Sequence, residues 1–120
     1  MILVKVLRKD GLVCSVECSG HADYAPVGSD IICAAVSALL INTVNSLECL
    51  TEDEVAVQEG SEEGGYLKII FPVPLSREGR VLAASLLLGL DSVREAYGTQ
   101  FIDIKGGVNY DENEPSVVRS

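Results

Sequence analysis

Asp10-Gly11 stands between two runs of alternating apolar residues, and no other short segment of the chain restricts the fold as much. Asp-Gly between such runs is a strong signal for a two-residue hairpin turn, whose twist matches that of paired antiparallel strands. Residues 2 to 9 and 12 to 19, rich in Val, Leu, Ile and Cys, are therefore expected to form the first two strands as a hairpin.

The remaining pattern extends this unit. Residues 20 to 28 hold two glycines and a proline without helical period and read as a loop, with Gly20 permitting a sharp exit from the strand. Ser29 or Asp30 is expected to cap a helix running to about Leu47, with Ile32, Val36, Leu39, Leu40 and Val44 near one stripe. Residues 54 to 59 and 66 to 73 alternate around Glu59-Gly60-Ser61-Glu62-Glu63-Gly64-Gly65, a second hairpin. Ser76 caps a second helix to about Tyr97, with Val81, Leu82, Leu86, Leu87, Leu90 and Val93 expected inward. A short strand over 99 to 105 closes the pattern. The reading is an α+β fold of order ββαββαβ, with two helices packed on an antiparallel or mixed sheet. A length of 120 residues bounds it to one domain, placed at 1–105, followed by an acidic tail at 106–120.

Bulk properties narrow the function. A formal net charge of -9 disfavours a nucleic-acid partner, because phosphate contacts need clustered Lys and Arg; it suits a basic polypeptide, though acidity also serves solubility alone. The apolar runs Ala34 to Ile41 and Val81 to Leu90 fall short of the about 20 residues that span a bilayer, so no membrane association is expected. The N-terminus enters strand alternation directly, without a basic region and apolar core ahead of a cleavage site, which points to the cytoplasm. Four cysteines are expected to stay reduced there. Cys14 and Cys18 lie on one face of a strand but roughly 13 Å apart, too far to share a tetrahedral metal. With one histidine in the chain, neither metal nor cofactor is expected. No Cys-x-x-Cys and no Gly-rich cofactor loop is present, which argues against a redox or acyl-transfer enzyme.

The chemistry concentrates between residues 20 and 37. A cysteine is most often a small buried hydrophobe, and Cys14, Cys18 and Cys49 read that way. Cys33 differs, because it opens a helix shortly after the sole histidine, His21. Only the thiolate is a good nucleophile, and positive potential at a helix N-terminus beside an imidazole favours it. Cys33 thus reads as a nucleophile, and His21 either as its base or as a solvated loop histidine. Asp30 has two readings: orienting the imidazole, or complementing the helix dipole. Ser37, one turn beyond Cys33, either reaches the catalytic pair or packs among small residues. Backbone N–H groups near Ile32 and Cys33 suit an oxyanion hole.

The segment from Gly20-His21-Ala22 through Ser29-Asp30-Ile31-Ile32-Cys33-Ala34-Ala35-Val36-Ser37 resembles the signature of the bacterial ribosomal-processing cysteine proteases, the Prp family. In that signature a Gly-His-Ala element precedes an Asp-x-x-Cys-Ala helix start. The resemblance implies a cysteine endopeptidase that removes the N-terminal extension of large-subunit ribosomal protein twenty-seven, cutting after a hydrophobic sequence during ribosome assembly. It also implies a homodimer, with His21 as general base and acid and with Gly20 and Ala22-Asp23-Tyr24-Ala25-Pro26-Val27-Gly28 bordering the substrate cleft. The glycine and proline content of that loop suits a segment that orders on peptide binding. The competing reading is a noncatalytic assembly module that binds a basic ribosomal protein through the acidic surface and leaves Cys33 unreactive.

Overall fold

The structure, a computed structural model, describes residues 2–20, 29–60, 65–98 and 100–106, with Ser29 and Asp30 described in their backbone only. Within them the chain forms β1 (Ile2–Lys9), β2 (Leu12–Ser19), α1 (Ser29–Leu50), β3 (Ala56–Glu59), β4 (Tyr66–Ile70), α2 (Arg77–Tyr97) and β5 (Ile102–Lys105). The strands make one sheet in the order β3-β4-β2-β1-β5. Three pairings are antiparallel and β1 runs parallel to β5, so the sheet is mixed.

Asp10 and Gly11 adopt φ of 55° and 82°, the pair of positive values that the β1–β2 turn requires. The hairpin register is regular from Leu3↔Ser19 to Leu7↔Ser15, then shifts to Arg8↔Val13. Cys14 is the extra residue of this bulge. Its carbonyl accepts from the N–H of Phe71 at 3.0 Å, and Val13 turns into the core. Cys14 and Cys18 therefore do not occupy equivalent positions on one face of a regular strand: Cys18 is buried and Cys14 half-buried.

Alternate residues of the strands, among them Val4, Val6, Val16, Ile69, Ile102 and Ile104, meet Ile32, Val36, Leu40 and Leu47 of α1 and Ala83, Leu86, Leu87 and Leu90 of α2 in one core. Thr43 is buried with them and donates its hydroxyl to the Leu39 carbonyl at 2.8 Å, which removes the cost of an unpaired hydroxyl there. Val81, expected inward, is exposed, and Gly79 and Ala83 are buried in its place. Small residues let α2 sit close to its neighbours, so the apolar bulk of each residue did not mark which way the helix faces.

Several elements differ in length from expectation. β3 starts at Ala56 rather than 54, because Asp53 is drawn to the start of α2. β4 ends at Ile70, two residues before Pro72, which has no N–H to donate to a ladder. β5 starts at Ile102, since Phe101 bonds back to the Gly98 carbonyl in a turn. Helix α1 starts at Ser29, placing both expected cap residues inside it, and runs on to Leu50. This continuity also overturns the length argument against a membrane span. Ile31–Leu50 has a mean hydropathy of 1.6 and suffices in length to cross a bilayer. Its Ile32, Val36, Leu40 and Leu47 stripe packs on the sheet instead, while Ile31, Ile41 and Leu50 lie exposed. Of the acidic tail, only Gly106 lies among the described residues.

Candidate active site

The sheet end at which β2 leaves and α1 arrives holds the chemistry. Register places Val4, Cys18, Leu67 and Glu59 in one row across four strands, with Ser19 and Tyr66 paired one residue beyond. Gly20 follows β2 with φ of 98°, a value that side chains disfavour, and the chain departs the sheet there.

Above this row lies a cavity of about 240 Å³. Ile2, Val36, Leu40 and Leu67 supply an apolar floor, whereas Cys18, Cys33, Ser37, Glu59 and Tyr66 supply the polar atoms. Gly20, Ile41 and Gly65 complete the wall. Cys33 is half-buried and packs against the core, and Ser37, one turn further along α1, is exposed. The structure therefore brings Gly20, Cys33 and Ser37 to one cavity. His21, Ala22, Asp23, Tyr24, Ala25, Pro26, Val27 and Gly28, and the side chain of Asp30, lie outside the described residues.

Cys33 is the fifth residue of α1. A helix leaves the N–H groups of its opening turn without intrahelical acceptors, and their partial positive charge lies on the side where a thiolate or an oxyanion benefits. Cys33 follows directly on that turn. Cys18 experiences the opposite environment. Burial, with the neighbouring charge of Cys33 as a second cause, pushes its thiol up to about 11. Two thiols on one cavity thus differ in role: one beside a helix start, one held protonated in the core. At the rim, the Tyr66 hydroxyl donates to Glu17 at 2.8 Å, and this bond, reinforced by partial desolvation and the Glu17 charge, raises the tyrosine above its ordinary value. Among the described residues, no cluster of three His, Cys, Asp or Glu side chains is placed to hold a metal.

Sequence reasoning missed Cys18, Glu59, Tyr66 and Leu67 as cavity residues. Cys18 carried one usable signal, its place on the inward face of β2 three residues before His21. The others come from the second hairpin, and only the β2–β4 pairing, which is remote in sequence, brings them here.

Comparison with known proteins identifies the family. Residues 1–102 match the family described as cysteine protease Prp. The ribosomal processing cysteine protease Prp of Bacillus subtilis is 37% identical over 91 residues, which cover 75% of this chain and 80% of that protein. The ribosomal processing protease Prp of S. aureus, solved with a substrate peptide, superposes with a TM-score of 0.79 at 28% identity, over 88% of this chain and 98% of that one. The same S. aureus protease with a covalently linked product peptide gives a TM-score of 0.75 at 29% identity and the same coverage. This chain belongs to the cysteine protease Prp family.

Proposed function

We propose that this protein is a cysteine endopeptidase that removes the N-terminal extension of large-subunit ribosomal protein twenty-seven during ribosome assembly, with Cys33 as nucleophile and His21 as general base and acid. The observation that carries the reading is the position of Cys33, on the wall of an apolar-floored cavity, directly after the opening turn of α1 and across from the strand end that leads into His21. The S. aureus relative, bound to a substrate peptide and to a covalently linked product peptide, supports it.

In this reading His21 accepts the Cys33 proton, and the sulfur attacks the scissile carbonyl carbon. Negative charge moves onto the carbonyl oxygen, facing the N–H groups of the α1 opening turn. Collapse breaks the C–N bond as His21 returns the proton to the leaving amine, and water then hydrolyses the thioester. Asp30 orients the imidazole, Ser37 supports the pair from the next turn, and the loop from Ala22 to Gly28 borders the peptide. The apolar floor of Ile2, Val36, Leu40 and Leu67 suits the hydrophobic side chains before the cut. The net charge of -9 favours approach of a basic ribosomal protein over nucleic acid, in the cytoplasm.

A homodimer belongs to the same proposal. Ile31, Ala34, Ala38 and Ile41 form an exposed stripe of apolar and small residues along α1, a surface that a second copy would cover. Incubating the protein with the extended and the already trimmed ribosomal protein, and reading the products by mass, tests the activity. Conversion of the extended form alone, by one cut, is the expected result; binding without any cut would favour the noncatalytic assembly module.

A further inference from the structure

We propose that Cys18 is a resolving thiol for Cys33: when a peroxide oxidises the Cys33 sulfur, Cys18 closes a Cys18–Cys33 disulfide that holds the protein in a reversibly inactive form. The inference rests on the reading of Cys33 as a reactive nucleophile.

Placement singles out this pair among four cysteines. Cys18 and Cys33 line one cavity, and Cys33 packs against the core cluster to which Cys18 belongs. Cys14 is about 13 Å further back along β2, at the bulge. Cys49 lies sixteen residues beyond Cys33 on the same helix, about 24 Å away along its axis. None of the four is in a disulfide, so the pair is in its reduced state.

The chemistry divides between the two thiols. A peroxide reacts with thiolate: the Cys33 sulfur takes one oxygen, the O–O bond breaks, and hydroxide leaves, giving a sulfenic acid. Burial holds the Cys18 thiol protonated, so Cys18 is spared that first step. Conversion of Cys33 to an uncharged sulfenic acid then removes the neighbouring charge that helps to hold Cys18 protonated. The Cys18 sulfur attacks the Cys33 sulfur, the S–O bond breaks, and the Cys18 proton leaves with the hydroxyl as water. Two electrons have passed from the two thiols to the peroxide, and a dithiol reductant restores both. Without Cys18, a second peroxide would carry Cys33 to the irreversible sulfinic acid. A sulfur committed to Cys18 cannot attack a peptide, so cleavage stops until reduction.

The test is a hydrogen peroxide titration of the full chain, followed by alkylation, nonreducing digestion and mass analysis, with peptide cleavage measured before treatment, after it, and after dithiothreitol. Wild type is expected to yield a peptide pair joined through Cys18 and Cys33, lighter by two hydrogens, and to recover its activity. Cys18→Ala and Cys18→Ser, each normalised to its own untreated activity, are expected to accumulate Cys33 sulfinic acid and to recover a fraction on the order of ten times smaller. Sulfinic acid at Cys33 of wild type without the linkage, or a linkage from Cys33 to Cys14 or Cys49, overturns the proposal. So does a Cys33 left unoxidised at a dose that modifies the exposed Cys49. An untreated protein that cuts no peptide yet forms the linkage would sink the protease reading alone and support the disulfide.

Discussion

Asp53 and Ser76 tie the end of the α1–β3 connection to the start of α2. One carboxylate oxygen of Asp53 accepts from the Ser76 N–H at 3.0 Å and the other from the Ser76 hydroxyl at 2.5 Å. The Ser76 oxygen accepts in turn from the Gly79 N–H at 2.9 Å, capping the helix. Asp53 is itself held by a bond from its N–H to the Thr51 hydroxyl oxygen at 3.0 Å. A side chain at Gly79 would strike the Asp53 carboxylate and Leu75, so the glycine keeps this corner closed.

Loss of the cap should be measurable by denaturant unfolding. Ser76→Ala is expected to cost about 1 kcal/mol, the usual value for an N-cap serine. Partial burial acts to raise the Asp53 carboxyl, but the hydrogen bonds from Ser76 and Thr51 outweigh it and hold it below its ordinary 3.8. A depressed folded value means that the stabilisation is present above 3.8 and is lost as pH falls through the folded value. The stability gap between wild type and Asp53→Asn should therefore be constant near neutrality and close in acid below that point. A gap that widens in acid would contradict the network.

Helix α2 meets α1 at Gly89, where an added Cβ would lie 2.9 Å from a Leu39 methyl. Alanine would recover about 1 kcal/mol of helix propensity in the interior of α2. The contact opposes that gain, because the half-buried Leu39 must shift. Gly89→Ala alone should consequently change stability little. Combined with Leu39→Ala it should be more stable than the two single effects summed, a coupling that thermal unfolding of the four proteins would show.

The exposed stripe of α1 offers a direct test of self-association. Ala38→Glu places a carboxylate at its centre, between Ala34 and Ile41. Sedimentation velocity should find wild type as a dimer and this variant shifted to monomer, with circular dichroism unchanged. Equal sedimentation of both would remove α1 from the interface.

The legible parts of this fold were those set by local rules. Asp10-Gly11 fixed its turn because few residue pairs tolerate two positive φ values, and Ser76 fixed a helix start because its oxygen satisfies an unpaired N–H. The facing of α2 was less legible. Val81 looks like a core residue by type, but Gly79 and Ala83 hold the tight positions against the neighbouring layer. At the cavity, the place of Ser37 one turn beyond Cys33 was legible from helical spacing and that of Gly20 from its strand exit, whereas Cys18 resembled any packed strand cysteine. Its proximity to Cys33 arises from how α1 lies on the sheet, and no local pattern encodes that crossing.

Separating the roles of the site residues requires reactivity beside activity. Cys33→Ser and His21→Ala should each lower peptide cleavage by at least about a thousandfold, and the double variant by little more, since a nucleophile and its base act as a unit. Asp30→Asn should lose less, since the role proposed for it is to orient the imidazole without touching the reacting atoms. Iodoacetamide at mildly acidic pH should label Cys33 first, as thiolate fraction governs the rate and the α1 opening turn favours it. Cys49 is exposed but has no such neighbourhood, and Cys18, pushed up to about 11 by burial and by Cys33, should label last. In His21→Ala the lead of Cys33 should shrink while its labelling stays ahead of Cys18. Peptide mapping reads all four sites at once. Modification of Cys14 or Cys49 ahead of Cys33 in wild type, or near wild-type cleavage by a folded Cys33→Ser, would exclude this sulfur as the nucleophile.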